Sequence, residues 1–411
     1  MDRPPPGDRG GLNRRFQRMI SRPNTQSLSQ YETAQAVVDA LQPAEPVYCL
    51  YPDRLRAIAK RFVDGFPGRT MFAVKANPFP AVIDTLWDAG IRCFDTASLP
   101  EVQLVHERHP DADLFFMAPV RFRGAAEAAY QSHGVRRFVV DHPSELDRII
   151  SATSAADTVI FVRVAAENPD AIYEFASKFG ATPDETVAML EQVIEAGFEP
   201  GLAFNTGSMV MDPSAYENGL AICRSILERV KRPIGHLDIG GGFPWVYPDI
   251  PAPAVEAYFE RVASVRATLS LADDAIIYCE PGRALCADGM SLIVQVLMRK
   301  DDRLYLNDGV YGSLSETNLS HGEVWYPTRV MRAGGGAPGE ADKPFTIFGP
   351  TCDSLDKLPV QIPLPADIAE GDWIEIGTMG AYSNSTRTAF NGIFPDTLVE
   401  ITGGEPPRLD D

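Results

Sequence analysis

The feature that most limits how this chain can fold is a rhythm. Between residues 71 and 280, eight short apolar, β-branched or aromatic runs recur: Met71–Lys75, Arg92–Thr96, Leu114–Ala118, Arg137–Asp141, Val159–Val164, Gly201–Asn205, His236–Gly240 and Ala275–Glu280. Longer amphipathic stretches lie between them, such as Pro80–Ala89, Pro100–Arg108, Gly124–His133, Asp184–Ala196 and Ala215–Lys231. Strands alternating with helices predict parallel pairing, because a strand returns parallel to its neighbour only through a long crossover. The boundaries carry matching signals. Thr182 precedes Pro183, Asp184 and Glu185, an N-cap followed by proline and acids, and Gly197 stops the same stretch. Eight such units over about 235 residues predict a (β/α)₈ barrel rather than an open doubly wound sheet.

Past residue 285 the texture changes. The runs 291–300, 302–308, 343–349, 371–377 and 396–401 are strand-like, with Gly and Pro turns and few helical patterns. They predict a β-rich second unit. Ala333–Pro344, rich in glycine, reads as an exposed loop within it. The expected division is a mobile tail over 1–30, with a short helix around Arg14–Ile20, a barrel over 45–283, and a β-rich domain from 31–44 and 284–411.

Composition removes several classes of function. The chain of 411 residues holds 56 acidic and 37 basic residues, a formal charge of −19. That surface repels phosphate backbones and anionic lipid, so neither nucleic acid nor membrane is an expected partner. Apolar runs such as Leu292–Met298 fall far short of the roughly 20 residues that span a bilayer. The opening MDRPPPGDRGG has no apolar signal region. Six cysteines without a CxxC pair and six scattered histidines without HExxH predict neither a disulfide framework nor a metal site, and fit a reducing cytoplasm.

Polar residues instead gather at strand ends: Lys75, Asp95, Arg163, Ser208, Gly240 to Gly242, and Glu280. Barrel enzymes build their sites at these C-terminal ends. A lysine closing an apolar strand is partly desolvated, which lowers its pKa and frees its amine for a Schiff base; the alternative is a snorkelling lysine. The three glycines let backbone amides approach an anion, or form only a tight turn. No Walker or dinucleotide fingerprint accompanies them. Glu280 and Arg283 add an acid and a guanidinium, one pairing that pyridoxal phosphate needs.

The motifs FAVKANP (72–78), FDTASLPEVQLV (94–105), SKFGAT (177–182), LDIGGGFP (237–244), EPGR (280–283), NDGVYGS (307–313), FGPTCDSLD (348–356) and GAYSNSTRTAFNG (380–392) follow in order over about 320 residues. In these the chain resembles the barrel-fold pyridoxal-phosphate decarboxylases of basic amino acids, the ornithine/diaminopimelate/arginine group, and looks closest to ornithine decarboxylases. The resemblance implies an alanine-racemase-like barrel with a C-terminal β domain, and roles for matched residues. Lys75 would bind pyridoxal 5'-phosphate covalently, and Glu280 would pair with its ring nitrogen. Ser208, Gly241, Gly242, Arg283 and Tyr382 would bind its phosphate, and Gly282 and Asn205 would also line the cofactor. Asp95, Glu101 and Arg163 would surround ring and lysine. Cys352 would protonate the carbon that loses CO₂, and Asp353 and Phe390 would meet the substrate. The group's head-to-tail homodimer would carry Cys352 and Asp353 into the partner's barrel. A racemase of this fold typically has arginine where Glu280 stands, which favours the decarboxylase. A non-catalytic regulator with the same fold is the alternative of a different class.

Two positions depart from the pattern. The sixth strand typically ends Phe-His-Val-Gly-Ser, with histidine stacked on the cofactor ring; here Asn205 replaces it. The change is either tolerated drift or altered reaction partitioning, substrate or rate. Ser320 stands, by count, where ornithine decarboxylases usually carry a carboxylate for the distal amine, with Glu316 a possible substitute. Ornithine to putrescine therefore leads, with a different amino acid in a specialised pathway as the alternative. Arg387 is an added cation, either a surface residue or one that favours an acidic substrate.

Overall fold

A computed structural model describes residues 28–168, 171–173, 177–339 and 341–408. The expected helix at 14–20 lies outside them. Two short strands come first, β1 (Gln30–Tyr31) and β2 (Val47–Leu50). The barrel follows as β3 (Arg69–Ala73), β4 (Cys93–Thr96), β5 (Asp113–Phe116), β6 (Arg137–Val140), β7 (Val159–Arg163), β8 (Glu199–Ala203), β9 (Ile234–Asp238) and β10 (Leu271–Cys279). All eight pair in parallel and in sequence order, and β10 closes the ring on β3 through Tyr278 opposite Arg69. Each of the eight expected barrel strands is present, with its ends within four residues of the expected ones.

The helices between them form where the sequence signals them. Thr182 Oγ1 accepts from the Glu185 amide, while the Glu185 carboxylate accepts from the Thr182 amide at 2.9 Å. This reciprocal cap starts the helix Pro183–Glu195. Their apolar faces pack on the outside of the barrel. Its inside is filled by Met71, Cys93, Phe115, Met117, Val139, Phe161, Ala203 and Tyr278. The rings of Phe115 and Phe161 meet Tyr278 at 5.1 and 6.0 Å. This plug seals one end, so chemistry is confined to the other. Because side chains alternate along a strand, residues two beyond the plug face the same axis. Cys93 leads to Asp95, Phe161 to Arg163 and Tyr278 to Glu280.

The β domain holds β11 (Met290–Lys300), β12 (Arg303–Leu306), β13 (Thr328–Met331), β14 (Asp342–Phe348), β15 (Lys357–Pro365), β16 (Trp373–Ile376) and β17 (Thr397–Ile401). Its strand order is β1-β17-β2-β11-β12-β14-β15, with β16 branching from β11 and β13 paired to β16. One expected boundary is corrected. Val47–Leu50, placed in the barrel stretch by sequence, pairs with β11 and β17 and belongs to the β domain. Gln30, expected in the tail, pairs with Glu400. Among the described residues no helix is long and apolar enough to cross a membrane.

The segment 379–384 of the β domain crosses the barrel mouth beside Lys75. The Tyr382 amide donates to Ala76 O at 2.8 Å, and Asn77 Nδ2 donates to Gly380 O at 2.7 Å. A Cβ on Gly380 would sit 1.7 Å from Cys286 O, so only glycine permits this crossing.

Candidate active site

Five charged side chains meet at the open end of the barrel. Lys75 lies in the single turn Val74–Ala76 directly after β3, and its Nζ is 3.1 Å from Asp95 Oδ2. Asp95 is buried and its Oδ1 has no partner. Glu280 follows β10, and its carboxyl hydrogen-bonds that of Asp238, the last residue of β9. Arg163 ends β7 and faces Glu280, Asp238 and Asp95. Burial pushes Asp238 up to about 7. Burial also raises Glu280, reinforced by the charges of Asp238 and Asp95. Two acids this close share a proton rather than both ionising. Glu101 lies behind Asp95, accepts from the Ala97 amide at 2.6 Å, and is raised to about 7 by burial.

A second cluster lies beside the first. The Cβ positions of Gly241, Gly242 and Gly282 are occupied by neighbours: Glu280 O at 2.6 Å, Val210 Cγ2 at 2.8 Å and Ala76 Cβ at 2.9 Å. A side chain at any of them would displace the loop, so bare backbone faces the mouth. Arg283 is buried, donates from Nη1 to the Tyr247 hydroxyl at 2.8 Å, and pairs with Glu316 through Nη2. Its guanidinium lies 4.9 Å from the Tyr382 ring, and its Nε has no partner. Ser208 is buried at a bridge to Tyr173, next to the unpartnered Thr206 Oγ1. Glycine-freed backbone, an orphaned guanidinium nitrogen and an orphaned hydroxyl suit a phosphate. Lys75 with an orphaned carboxylate oxygen beside it suits an aldehyde-bearing ring. The residues therefore fit pyridoxal phosphate.

The remaining sequence-derived residues fall elsewhere. Cys352 is exposed, its amide donating to Asn391 Oδ1 at 3.2 Å. Asp353 accepts from the Tyr311 hydroxyl at 2.6 Å and from the Leu355 amide, which together hold its pKa down. Phe390 packs on Tyr311 at 4.7 Å. Among the described residues, no hydrogen bond or ion pair joins this group to Lys75 or Glu280 within one chain.

A family model described as "pyridoxal-dependent decarboxylase, pyridoxal binding domain" matches residues 52–287. The chain belongs to this decarboxylase family. It is 33% identical over 334 residues to the lysine/ornithine decarboxylase of Selenomonas ruminantium, covering 79% of this chain and 81% of that protein. It is 30% identical to the ornithine decarboxylase of Rattus norvegicus over 81% of this chain and 75% of that one. The structure of lysine/ornithine decarboxylase from Vibrio vulnificus, complexed with putrescine, superposes with a TM-score of 0.77 at 26% identity, over 90% and 99% of the two chains. The decarboxylase thus uses pyridoxal 5'-phosphate and acts on amino acids, and the fold is the barrel plus β domain that the sequence implied.

Several expectations change within it. The Lys75 amine was expected to have a lowered pKa. Desolvation does pull it down, but the charges of Asp95 and Glu280 outweigh desolvation and the net shift is upward. Asn205 Oδ1 accepts from the Gly207 amide at 2.9 Å, so its carbonyl is committed to shaping the loop. Glu316 is committed to Arg283 and does not substitute for a distal-amine carboxylate. Ser320 is buried; its hydroxyl donates to Thr317 O and accepts from the Val324 amide. Arg387 is not a plain surface cation: it packs over Phe394 at 4.2 Å and over Phe79 and Tyr48 at 5.4 and 5.5 Å. Sequence reasoning missed Asp238, although it stands two residues before Gly240 on a strand already assigned to the barrel.

The raised acids give the cofactor-free decarboxylase a defined pH response. Asp238 is ordinarily ionised above about 4, yet holds its proton to about 7 when folded. Its share of stability is full below pH about 4 and is lost as pH rises through about 7. Asp238→Asn is expected to flatten the stability profile across this window, read by urea unfolding at successive pH values. An unchanged slope would contradict the shared proton.

Proposed function

We propose that this enzyme decarboxylates a basic amino acid, with ornithine to putrescine as the leading reaction, in a homodimer with shared sites. The observation that carries the reading is Asp353, a carboxylate kept ionised by Tyr311 and Leu355 one residue from Cys352. A buried ammonium needs such a partner, because leaving it unpaired costs several kcal/mol.

When bound, pyridoxal phosphate supplies the electron sink for the bond pair left as CO₂ departs. The chain does the rest. Lys75 Nζ would be the amine that holds the group, and Asp95 Oδ2, 3.1 Å away, is placed to take a proton from it. Glu280 would pair with the ring nitrogen, sharing a proton with Asp238, and Arg163 balances their charge. Gly241, Gly242, Gly282, Ser208, Arg283 and Tyr382 anchor the phosphate. Cys352 Sγ delivers a proton to the substrate α-carbon, and Asp353 receives the distal ammonium. Cys352 is solvent-exposed on its own chain, which supports delivery into a partner's barrel.

A screen of CO₂ release across amino acids, with product masses, tests the substrate. Ornithine or lysine is expected to lead. Asp353→Asn is expected to raise their KM by about 10- to 150-fold, the equivalent of roughly 1.5–3 kcal/mol for one charge-assisted contact. Preference for an uncharged or acidic side chain would sink the reading. The second reading, a different amino acid, is favoured by the single carboxylate at the distal end and by Asn205.

A further inference from the structure

The ion pair between Arg283 and Glu316 has a consequence for cofactor binding. Both side chains are almost completely buried, at 3% and 4% exposure. They come from different domains, Arg283 from the turn after β10 and Glu316 from the short helix Ser315–Leu319. On one side of the pair the Tyr247 hydroxyl oxygen accepts from Arg283 Nη1 at 2.8 Å, and on the other the Tyr326 hydroxyl donates to Glu316 Oε2 at 3.3 Å. The helix is tied to the Tyr382 segment. Ser315 Oγ bonds Thr386 Oγ1 at 2.7 Å, and Thr386 Oγ1 donates to Tyr382 O at 2.5 Å. The acid therefore arrives at Arg283 together with Tyr382. Nε of Arg283 is the donor left over.

We propose that Glu316 is the resident counter-ion of Arg283 and sets how tightly the barrel holds the cofactor's phosphate. The inference rests on the phosphate lying at Arg283, as argued above. A guanidinium this deep needs an anion whether or not cofactor is present. Glu316 meets that need in the empty barrel. A phosphate dianion then meets a pair that is already neutral, and gains less than it would at an uncompensated cation. The Nε donor and the glycine-lined backbone remain to orient it. Glu316 thus stabilises the cofactor-free protein and loosens the cofactor, which keeps the cofactor exchangeable. It is a positioning residue, acting through Arg283.

Glu316→Gln separates this from a merely structural role. In cofactor-free protein, Glu316→Gln is expected to lower Tm, because Arg283 loses its counter-ion. Titrated with pyridoxal 5'-phosphate and followed by absorbance, the same variant is expected to bind about tenfold more tightly. Affinity for pyridoxal, which lacks the phosphate, should not change. Weaker or equal affinity for the phosphorylated cofactor in Glu316→Gln, with Arg283→Gln weakening it, overturns the inference and leaves the phosphate assignment standing. An Arg283→Gln protein that still prefers pyridoxal phosphate over pyridoxal as strongly as wild type overturns the assignment itself. Should Glu316→Gln fold only with cofactor, its release from the loaded protein is followed by dialysis. Release about tenfold slower than wild type supports the proposal, and equal or faster release overturns it.

Discussion

Lys75→Ala is expected to leave no cofactor that borohydride can fix to the chain, and to cut decarboxylation by at least about 10³-fold. Lys75 is the lysine that the fold brings to the closed circle of Asp95, Glu280 and Arg163. Its Nζ sits 3.1 Å from a carboxylate whose other oxygen is unpartnered. The circle itself does not depend on Lys75 for folding: Asp95 is carried by β4, Glu280 by the end of β10, and the plug beneath them is apolar. The variant should therefore fold and still bind the cofactor non-covalently through the phosphate cluster. Peptide mapping after borohydride reduction decides the matter. A pyridoxyl group found on another lysine of Lys75→Ala would show that the wrong amine has been assigned.

Subunit mixing is the second large effect. Cys352→Ala and Lys75→Ala proteins are each expected to be nearly inactive. Mixed in equal amounts under conditions that let dimers exchange, they should recover about a quarter of wild-type activity. Half of the dimers are then mixed, and each mixed dimer carries one site with both residues intact. The argument starts from geometry. Cys352, Asp353, Tyr311 and Phe390 form a group at the rim of the β domain, and Cys352 is exposed there. Lys75 and Glu280 lie at the barrel mouth, and no hydrogen bond joins the two groups within the described residues of one chain. If the recovered activity stays at the level of the separate variants after exchange is proven by mass, each site is built within a single chain.

The β4, β7 and β10 strands show how much of the site is legible without coordinates. Each places an apolar residue in the plug and a charged one two positions later: Cys93 and Asp95, Phe161 and Arg163, Tyr278 and Glu280. Alternation is a local property, so the sequence alone assigns these residues to one face and one end of the barrel. Local chemistry likewise sets the helix starts, as at Thr182 and Glu185, where the partners are three residues apart. The ordered motifs from Lys75 to Tyr382 point to the cofactor and the family by the same kind of local reading.

What only the tertiary structure decided concerns partners far apart along the chain. Asp238 reaches Glu280 because β9 and β10 are neighbours, and the proton they share follows from burial between strands. Glu316 reaches Arg283, 33 residues away, because the β domain folds over the barrel mouth. Val47–Leu50 looked like part of the barrel stretch, yet its edge is completed by β11 and β17, which come more than 200 residues later. The sign of the Lys75 shift belongs here too. Desolvation could be read from an apolar strand, but the opposing charges of Asp95 and Glu280 act through space at distances that no spacing rule encodes. Periodicity and capping are written over three or four residues and survive in the sequence, whereas electrostatic pairing depends on distances set only when the sheets close.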